Sequence, residues 1–222
     1  MSQHSKALAI LAVGVAIVLS GLAVTQHVRA VAGEAENERL NRAILDYVAQ
    51  KNSQAPISAF RDFPGTLVAE SQRTSLDHCL ALAQAEVESE FKHDAVGSAG
   101  EIGLFQILPA TAALFEPSLG AFRRPAPKCK DKDARRDLGD LADPVVSTRF
   151  AMAYLRDILT RRPSVREALT EYNGGPGPLG RHPHYYRMVM GTYVEILEHS
   201  DLRCRFRENP KATPVLAFRV RA

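Results

Sequence analysis

Three glutamates at alternate positions, Glu86, Glu88 and Glu90, end a helical apolar pattern and precede a glycine-punctuated loop. Residues two apart on an α-helix point about 200° away from each other, so the three carboxylates cannot share one cleft. A helix C-terminus carries partial negative charge, and burial of Glu88 under the loop would add to its effect, so both would raise the pKa of Glu88. A carboxyl group that stays protonated near neutral pH can act as a general acid. The alternative is an ordinary solvated helix end.

The helix that must position these acids is predicted from an apolar stripe with steps of four, three and four residues. The stripe comprises Leu76, Leu80, Ala83 and Val87. Thr74, followed three residues later by Asp77, predicts a capping box at the start of this helix. Apolar patterns predict further helices over residues 111–115, 144–159, 165–172 and 186–199.

Short motifs follow one another in order along the same part of the chain. Glu88-Ser89 precedes Ser98-Ala99-Gly100 and Gly103-Leu104-x-Gln106. Asp143-Pro144, Ala153-Tyr154-Leu155, Glu171-Tyr172-Asn173-Gly174 and Tyr193-Val194 come later. Over residues 70–200 these motifs resemble the catalytic core of the soluble lytic transglycosylase (SLT) family. Several ordered motifs at compatible spacing argue against a chance match.

This resemblance implies an all-α, mainly helical domain with a goose-type, lysozyme-like fold. It also implies a lytic transglycosylase that binds peptidoglycan glycan strands and cleaves the β-1,4 bond between N-acetylmuramic acid and N-acetylglucosamine. Glu88 would protonate the leaving oxygen and then act as a base, while the substrate's 6-hydroxyl attacks and leaves a 1,6-anhydro end. No metal or cofactor is implied. A goose-type lysozyme that hydrolyses the same bond, and a non-catalytic peptidoglycan-binding module, are the alternatives.

In the family pattern Glu88 is catalytic, and the substrate-binding positions correspond to Ser89, Ser98, Gly103, Leu104, Gln106, Tyr172 and Asn173. Gly103 and Leu104 would shape the cleft wall, and Gln106 would hydrogen-bond the sugar. Leu104 has an alternative role as a core residue.

Ser89 would orient Glu88 or hold the helix end, whereas Tyr172 and Asn173 would contact Glu88 and the acetamido group of the substrate. Ser89 and Asn173 also suit purely structural capping roles.

The sequence departs from the family pattern beside the proposed acid. Gly97 stands where a serine is usual, and the adjacent Ser98 is expected to substitute for it. Glu101 stands where a small residue is usual. A carboxylate at Glu101, if close to Glu88, would raise the pKa of Glu88 by like-charge repulsion.

Residues 7–24 form an almost unbroken apolar run after Lys6, just long enough to span a bilayer. We expect an uncleaved signal-anchor, with a cleaved signal peptide as the alternative. The predicted organisation is a cytoplasmic n-region (1–6), the transmembrane or signal helix (7–24), an amphipathic helix and linker (25–69), the catalytic domain (70–200) and a basic tail (201–222). This organisation predicts a single-pass inner-membrane protein with its catalytic domain in the periplasm, or a secreted periplasmic enzyme if the signal is cleaved.

A small catalytic domain behind an anchor suggests an enzyme that opens the wall for a pilus, conjugation or secretion assembly. The net charge of +3 is modest and no nucleic-acid motif accompanies it, so we expect no nucleic-acid partner. The three cysteines show no zinc-site spacing. Outside the cytoplasm a disulfide becomes feasible, and we predict a Cys129–Cys204 bridge with Cys79 as a buried core residue.

Overall fold

The computed structural model describes residues 30–126, 137–162, 164–175 and 184–205. The chain divides into a first unit, Met1–Arg39, and a second unit, Leu40–Ala222. In the first unit, residues 30–39 are helical and largely exposed. The predicted apolar span at residues 7–24, Cys129 and most of the basic tail lie outside the described residues. Among the residues that are described, no helix combines the length and apolar character needed to cross a membrane.

The described part of the second unit is mainly helical, as the sequence predicts. Its helices are α1 (residues 40–51), α2 (Phe63–Thr74), α3 (His78–Ser89), α4 (Pro109–Ala113), α5 (Glu116–Leu119), α6 (Pro144–Arg161), α7 (Val165–Gly174) and α8 (Tyr185–Leu197). Short 3₁₀ turns occupy Ile57–Phe60, Asp140–Ala142 and Ser200–Leu202. The predicted helix over residues 111–115 is replaced by the two short helices α4 and α5.

The catalytic-core helix α3 begins differently from the prediction. Thr74 is the last residue of α2, and its hydroxyl donates to the Glu70 carbonyl at 2.6 Å, so it does not cap α3. Asp77 is itself the N-cap, because its carboxylate accepts the backbone N–H of Cys79 at 3.0 Å. The same Asp77 carboxylate accepts the Tyr193 hydroxyl at 2.8 Å, which joins the start of α3 to α8.

Helix α1 packs into the domain and shares its core. Ile44, Tyr47 and Val48 are buried in the same hydrophobic cluster as the apolar side of α3. Helix α2 contributes Leu67 to this cluster, so the predicted domain boundary at residue 70 falls inside a packed helix. Burial of apolar side chains from both helices stabilises the surroundings of α3.

A second, smaller cluster holds the glycine-rich loop in place. Its buried members are Ile102, Ile107, Ala112, Phe122, Leu141 and Phe150. Isolated antiparallel bridges pair Val96 with Ile102 and Ile102 with Ile107. The loop is therefore folded back on itself and anchored from beneath by apolar side chains.

The C-terminal part of the described chain is fixed to the start of α3 by a disulfide between Cys79 and Cys204. The predicted Cys129–Cys204 pairing is therefore wrong. Cys79 is fully buried, as predicted, but it is bonded and not a free core thiol. The pairing depends on the return of the chain after α8, which brings Cys204 to α3 across a separation of 125 residues. Local sequence contains no signal for that return.

Candidate active site

A cleft of about 490 Å³ opens where the C-terminal end of α3 meets the glycine-rich loop and the end of α7. Glu88 comes from α3, Tyr154 comes from α6, and Tyr172 is on α7. The full described lining is Glu88, Gly97, Ser98, Ala99, Glu101, Gln106, Ile107, Leu108, Thr111, Tyr154, Tyr172, Asn173, Gly174 and Gly175. The cleft is thus built mostly from the motifs that the sequence singles out.

Glu88 is the penultimate residue of α3, and the helix ends at Glu90, which adopts a left-handed conformation with φ of 52°. The Tyr185 hydroxyl donates a hydrogen bond of 2.6 Å to Glu88 Oε1. Burial raises the pKa of Glu88 to about 7; the Tyr185 hydrogen bond opposes this rise, and the negative charge of Glu101 adds to it. The predicted effect of burial and the predicted repulsion from Glu101 are both confirmed.

The other two acids of the triplet point elsewhere, as helical geometry requires. Glu86 accepts the Tyr47 hydroxyl at 2.6 Å and pairs with Lys51 at 2.8 Å. Glu90 is exposed and pairs with Lys92 at 2.6 Å. Of the three carboxyl groups, Glu88 alone lines the cleft.

Ser89 holds the helix end against the loop. Its buried hydroxyl lies 3.0 Å from the Ala85 carbonyl and 2.9 Å from the Leu104 carbonyl. A hydroxyl has one proton and donates to one of these carbonyls at a time. The observed position corresponds to the predicted role of holding the helix end and offers the substrate no free group.

Gly103 and Leu104 do not line the cleft as predicted. Gly103 has φ of 81°, and a Cβ there would lie 2.0 Å from the Leu141 carbonyl oxygen, so glycine is required for the loop to pack this closely. Leu104 is fully buried in the main core, because its side chain points away from the cleft towards the helices. Both residues fix the loop from behind the cleft.

Gln106 lies in the cleft with its amide orientation set by the backbone. Its Nε2 donates to the Gly103 carbonyl at 2.9 Å and to the Ala95 carbonyl at 3.2 Å. Since carbonyls only accept, the nitrogen must face them, and Oε1 is left as the group that can accept from a sugar.

Tyr172 and Asn173 both line the cleft beside Glu88, but among the described hydrogen bonds the Glu88 carboxylate accepts from Tyr185 and not from either of them. The Tyr172 hydroxyl donates to the Phe105 carbonyl at 3.0 Å, and the Tyr172 ring packs on Tyr154 with centroids 5.1 Å apart. Asn173 Oδ1 is buried and has no hydrogen-bond partner in the described part of the chain. Ser98 is exposed at the cleft rim.

Tyr185 is the site residue that sequence reasoning missed. It is buried at the start of α8, and burial raises the pKa of its phenol well above the ordinary value, so it remains a donor to Glu88. It belongs to none of the quoted motifs. The sequence signal that could have suggested it is an aromatic pair, Tyr185-Tyr186, at the start of a helix.

The end of α7 is fixed by a buried ion-pair group. Glu171 is only 3% exposed and bonds to Arg161, at 2.8 Å, and to Arg162, both at the end of α6. Because Tyr172 follows directly, these bonds set the position of the tyrosine against the cleft.

Within the described residues, the side chains of Asp77, His78 and Cys79 form the one group that brings three potential metal ligands within 4.8 Å. The Cys79 sulfur is committed to the disulfide, and His78 Nε2 lies 2.7 Å from the Leu202 carbonyl oxygen. These atoms lie at the start of α3, at the opposite end of that helix from Glu88.

Comparisons with known proteins bear on the family and the fold of the chain. Residues 66–188 match the family described as the Transglycosylase SLT domain. The fold is similar to the solved structure of an inactive mutant of lytic transglycosylase Slt from Pseudomonas aeruginosa, with a TM-score of 0.50 and 21% sequence identity. The similarity covers 71% of this chain and 28% of that one. A comparison with curated proteins gave no match. The family match spans more than half of the sequence, and the chain therefore belongs to the Transglycosylase SLT domain family.

Proposed function

We propose that the protein is a peptidoglycan lytic transglycosylase that cleaves the β-1,4 bond after N-acetylmuramic acid and leaves 1,6-anhydro ends. The observation that carries this proposal is Glu88, a half-buried carboxyl group whose pKa is raised to about 7 by desolvation, in a cleft that can hold a sugar chain. Such a group is protonated in a large fraction of molecules at neutral pH and can also accept a proton, which is what a one-acid mechanism requires.

In the first step the Glu88 proton goes to the glycosidic oxygen, and the bond from C1 of N-acetylmuramic acid to that oxygen breaks. The leaving N-acetylglucosamine gains a free 4-hydroxyl. The acetamido oxygen of the substrate stabilises the positive charge at C1. The ionised Glu88 then accepts the proton of the 6-hydroxyl as that oxygen bonds to C1, which regenerates the acid and closes the anhydro ring.

Side chains around Glu88 support both halves of this cycle. Tyr185 donates to the carboxylate form and thereby stabilises it after the proton has left. Burial and the charge of Glu101 favour the protonated form before transfer. Because these effects oppose each other, Glu88 can lose or gain its proton near neutral pH with only a small change in free energy.

Hydrolysis of the same bond, as in a goose-type lysozyme, is a second candidate because Glu101 brings another carboxylate into the cleft. Two carboxylates flanking the bond are the usual arrangement in glycosidases that add water. The two outcomes leave different product ends, an anhydro ring or a reducing sugar.

The test is mass spectrometry of muropeptides released from purified sacculi by the wild type and by Glu88→Gln. We expect anhydro muropeptides from the wild type and a loss of at least about a thousandfold in rate for the variant. Reducing ends would support the lysozyme alternative. No release from either protein would support a non-catalytic wall-binding module, and equal release from both would show that Glu88 is not the catalytic acid.

We further propose that the enzyme acts in the periplasm, held by the apolar segment 7–24 in the inner membrane, and opens the wall for an envelope-spanning assembly. The Cys79–Cys204 disulfide supports an oxidising compartment. Fractionation of cells that produce the full chain tests the anchor: the protein should remain with membranes at high salt and be released by detergent. Deletion of the gene should impair one pilus, conjugation or secretion machine, and normal assembly of all of them would contradict the specialised role.

A further inference from the structure

Two side-chain hydrogen-bond acceptors lie close together in the part of the cleft around Gly97. A Cβ built on Gly97 would lie 2.3 Å from Glu101 Oε2 and 2.8 Å from Gln106 Oε1, so both oxygens lie beside the same point on the loop. The two Nε2 protons of Gln106 are directed at the Ala95 and Gly103 carbonyls, so they are not donated to these two oxygens. Two hydrogen-bond acceptors therefore lie beside position 97, where the family usually has a serine.

The Glu101 side chain is held in this position by the loop itself. Its Oε2 accepts the backbone N–H of Ala99 at 2.9 Å, and the missing side chain at Gly97 leaves the space that the carboxylate fills. No lysine, arginine or histidine is among the described lining residues, and no cation in the described chain lies within ion-pair distance of Glu101. Among the described residues, the carboxylate therefore faces the cleft without a positive partner.

Acceptors such as Glu101 Oε2 and Gln106 Oε1 are satisfied by a ligand that brings several donors, and a net negative charge favours a ligand that is positively charged. A primary ammonium group has three donors, no acceptor and the required charge.

We propose that Glu101, together with Gln106 Oε1, forms a specificity subsite for a primary ammonium group on the glycan strand. This inference rests on the proposed function, because it assigns a preference among peptidoglycan substrates of the same cleft. The ammonium has two sources in peptidoglycan: a glucosamine that has lost its N-acetyl group, or a diamino acid of the stem peptide. Glu101 is a residue in which this chain departs from the family pattern, so the preference is particular to this chain.

The test measures kcat/KM on four glycan preparations. The first pair consists of strands without stem peptides, and enzymatic de-N-acetylation of the glucosamine gives one member an ammonium group. The second pair consists of strands with stem peptides, and chemical acetylation removes the stem ammonium group from one member. Ratios within each pair are used, because any effect of Glu101 on the protonation of Glu88 applies to both members and cancels.

We expect the wild type to prefer the ammonium-bearing member of one pair by about tenfold, as for a charge-assisted hydrogen bond. Glu101→Gln should bring that ratio close to one, mainly through KM. Glu90→Gln, the same change at an exposed carboxylate outside the cleft, should leave the ratio unchanged. The pair that shows the preference identifies the source of the ammonium.

Binding measured with Glu88→Gln gives a second readout that does not need turnover. The same preference should appear in the Kd of this variant for the intact strands, and it should weaken as ionic strength rises. The inference is overturned if neither pair differs by more than about twofold, or if Glu101→Gln leaves the ratio unchanged. A wild type that cleaves no preparation would contradict the proposed function, whereas cleavage without preference contradicts the subsite alone.

Discussion

The phenol of Tyr185, on the first turn of α8, donates a 2.6 Å hydrogen bond to Oε1 of Glu88, on the last turn of α3. The two residues are 97 positions apart in the sequence. This bond stabilises the ionised carboxylate, whereas the burial that surrounds it stabilises the neutral acid. The balance between these opposing effects leaves the pKa of Glu88 at about 7.

Replacement of Tyr185 by Phe removes the donor and keeps most of the buried ring. The pKa of Glu88 should rise further, so the alkaline limb of the pH profile of kcat/KM should move to higher pH. The rate should fall about tenfold, because the carboxylate that forms when Glu88 gives up its proton is less stabilised. Tyr186→Phe, a change at the neighbouring tyrosine, is the control, and an unchanged alkaline limb in Tyr185→Phe would contradict the assigned hydrogen bond.

Glu88 also makes the stability of the folded protein depend on pH. Below pH 4.5 the carboxyl group is protonated in both the folded and the unfolded chain. Between that pH and about 7 the unfolded chain ionises while the folded one stays neutral, so the free energy of unfolding falls as pH rises. The loss reaches about 3 kcal/mol above pH 7.

Glu88→Gln removes this titration. Urea unfolding at about pH 4 and about pH 8 should show the variant gaining about 3 kcal/mol relative to the wild type between the two conditions. Equal pH dependence in both proteins would mean that Glu88 ionises freely in the folded state.

The prediction of the site from sequence succeeded where local pattern was sufficient. The apolar stripe from Leu76 to Val87 predicts α3, and the position of Glu88 beside the loop, together with the family resemblance, distinguishes it from Glu86 and Glu90. The prediction failed where a residue bonds to a partner from a distant part of the chain. Tyr185 lies in no motif, and the chain return that pairs Cys204 with Cys79 has no local signature.

The predicted cap of α3 and the predicted place of Leu104 in the cleft wall also differ from the structure. In both cases neighbouring residues favour a different local arrangement. Thr74 and Asp77 suit one capping box, but a left-handed Ser75, with φ of 58°, ends α2 between them and makes Asp77 the cap. Leu104 lies beside cleft residues in the sequence, yet its side chain is buried in the core. Burial of the apolar side chain away from water stabilises this orientation.

Gly97 and Glu101 should behave as a coupled pair. In Gly97→Ser the new Cβ would lie 2.3 Å from Glu101 Oε2, so the carboxylate must leave its position. We expect kcat/KM to fall about tenfold, with little loss of stability because a flexible side chain can move. Adding Glu101→Ala should lower kcat/KM little further, because the carboxylate has already left its position.

This double-mutant cycle is measured on unmodified sacculi. Effects of the two substitutions that simply multiply would show that the side chains act independently and that Gly97 does not make room for Glu101.

The disulfide should contribute substantially to stability. Cys79–Cys204 closes a separation of 125 residues, for which loop entropy predicts up to about 5 kcal/mol, and native disulfides typically contribute 2–5 kcal/mol. Urea unfolding of Cys79→Ser/Cys204→Ser should show a loss of about this size, while the kcat of the folded fraction stays close to wild type, because the bridge lies at the far end of α3.

Peptide mapping without reductant provides the matched check. A linked peptide containing Cys79 and Cys204 is expected from protein purified from an oxidising compartment. A Cys129–Cys204 peptide in its place would contradict the observed pairing.

The proposed catalysis requires that the Glu88 carboxyl group keep its proton in about half of the molecules at neutral pH. Its most direct test is a ¹³C NMR titration of the side-chain carboxyl of Glu88 in the folded protein, assigned by comparison with Glu88→Gln. We expect a midpoint at about pH 7. A midpoint near the ordinary value of 4.5 would show a solvated carboxylate that cannot serve as the general acid.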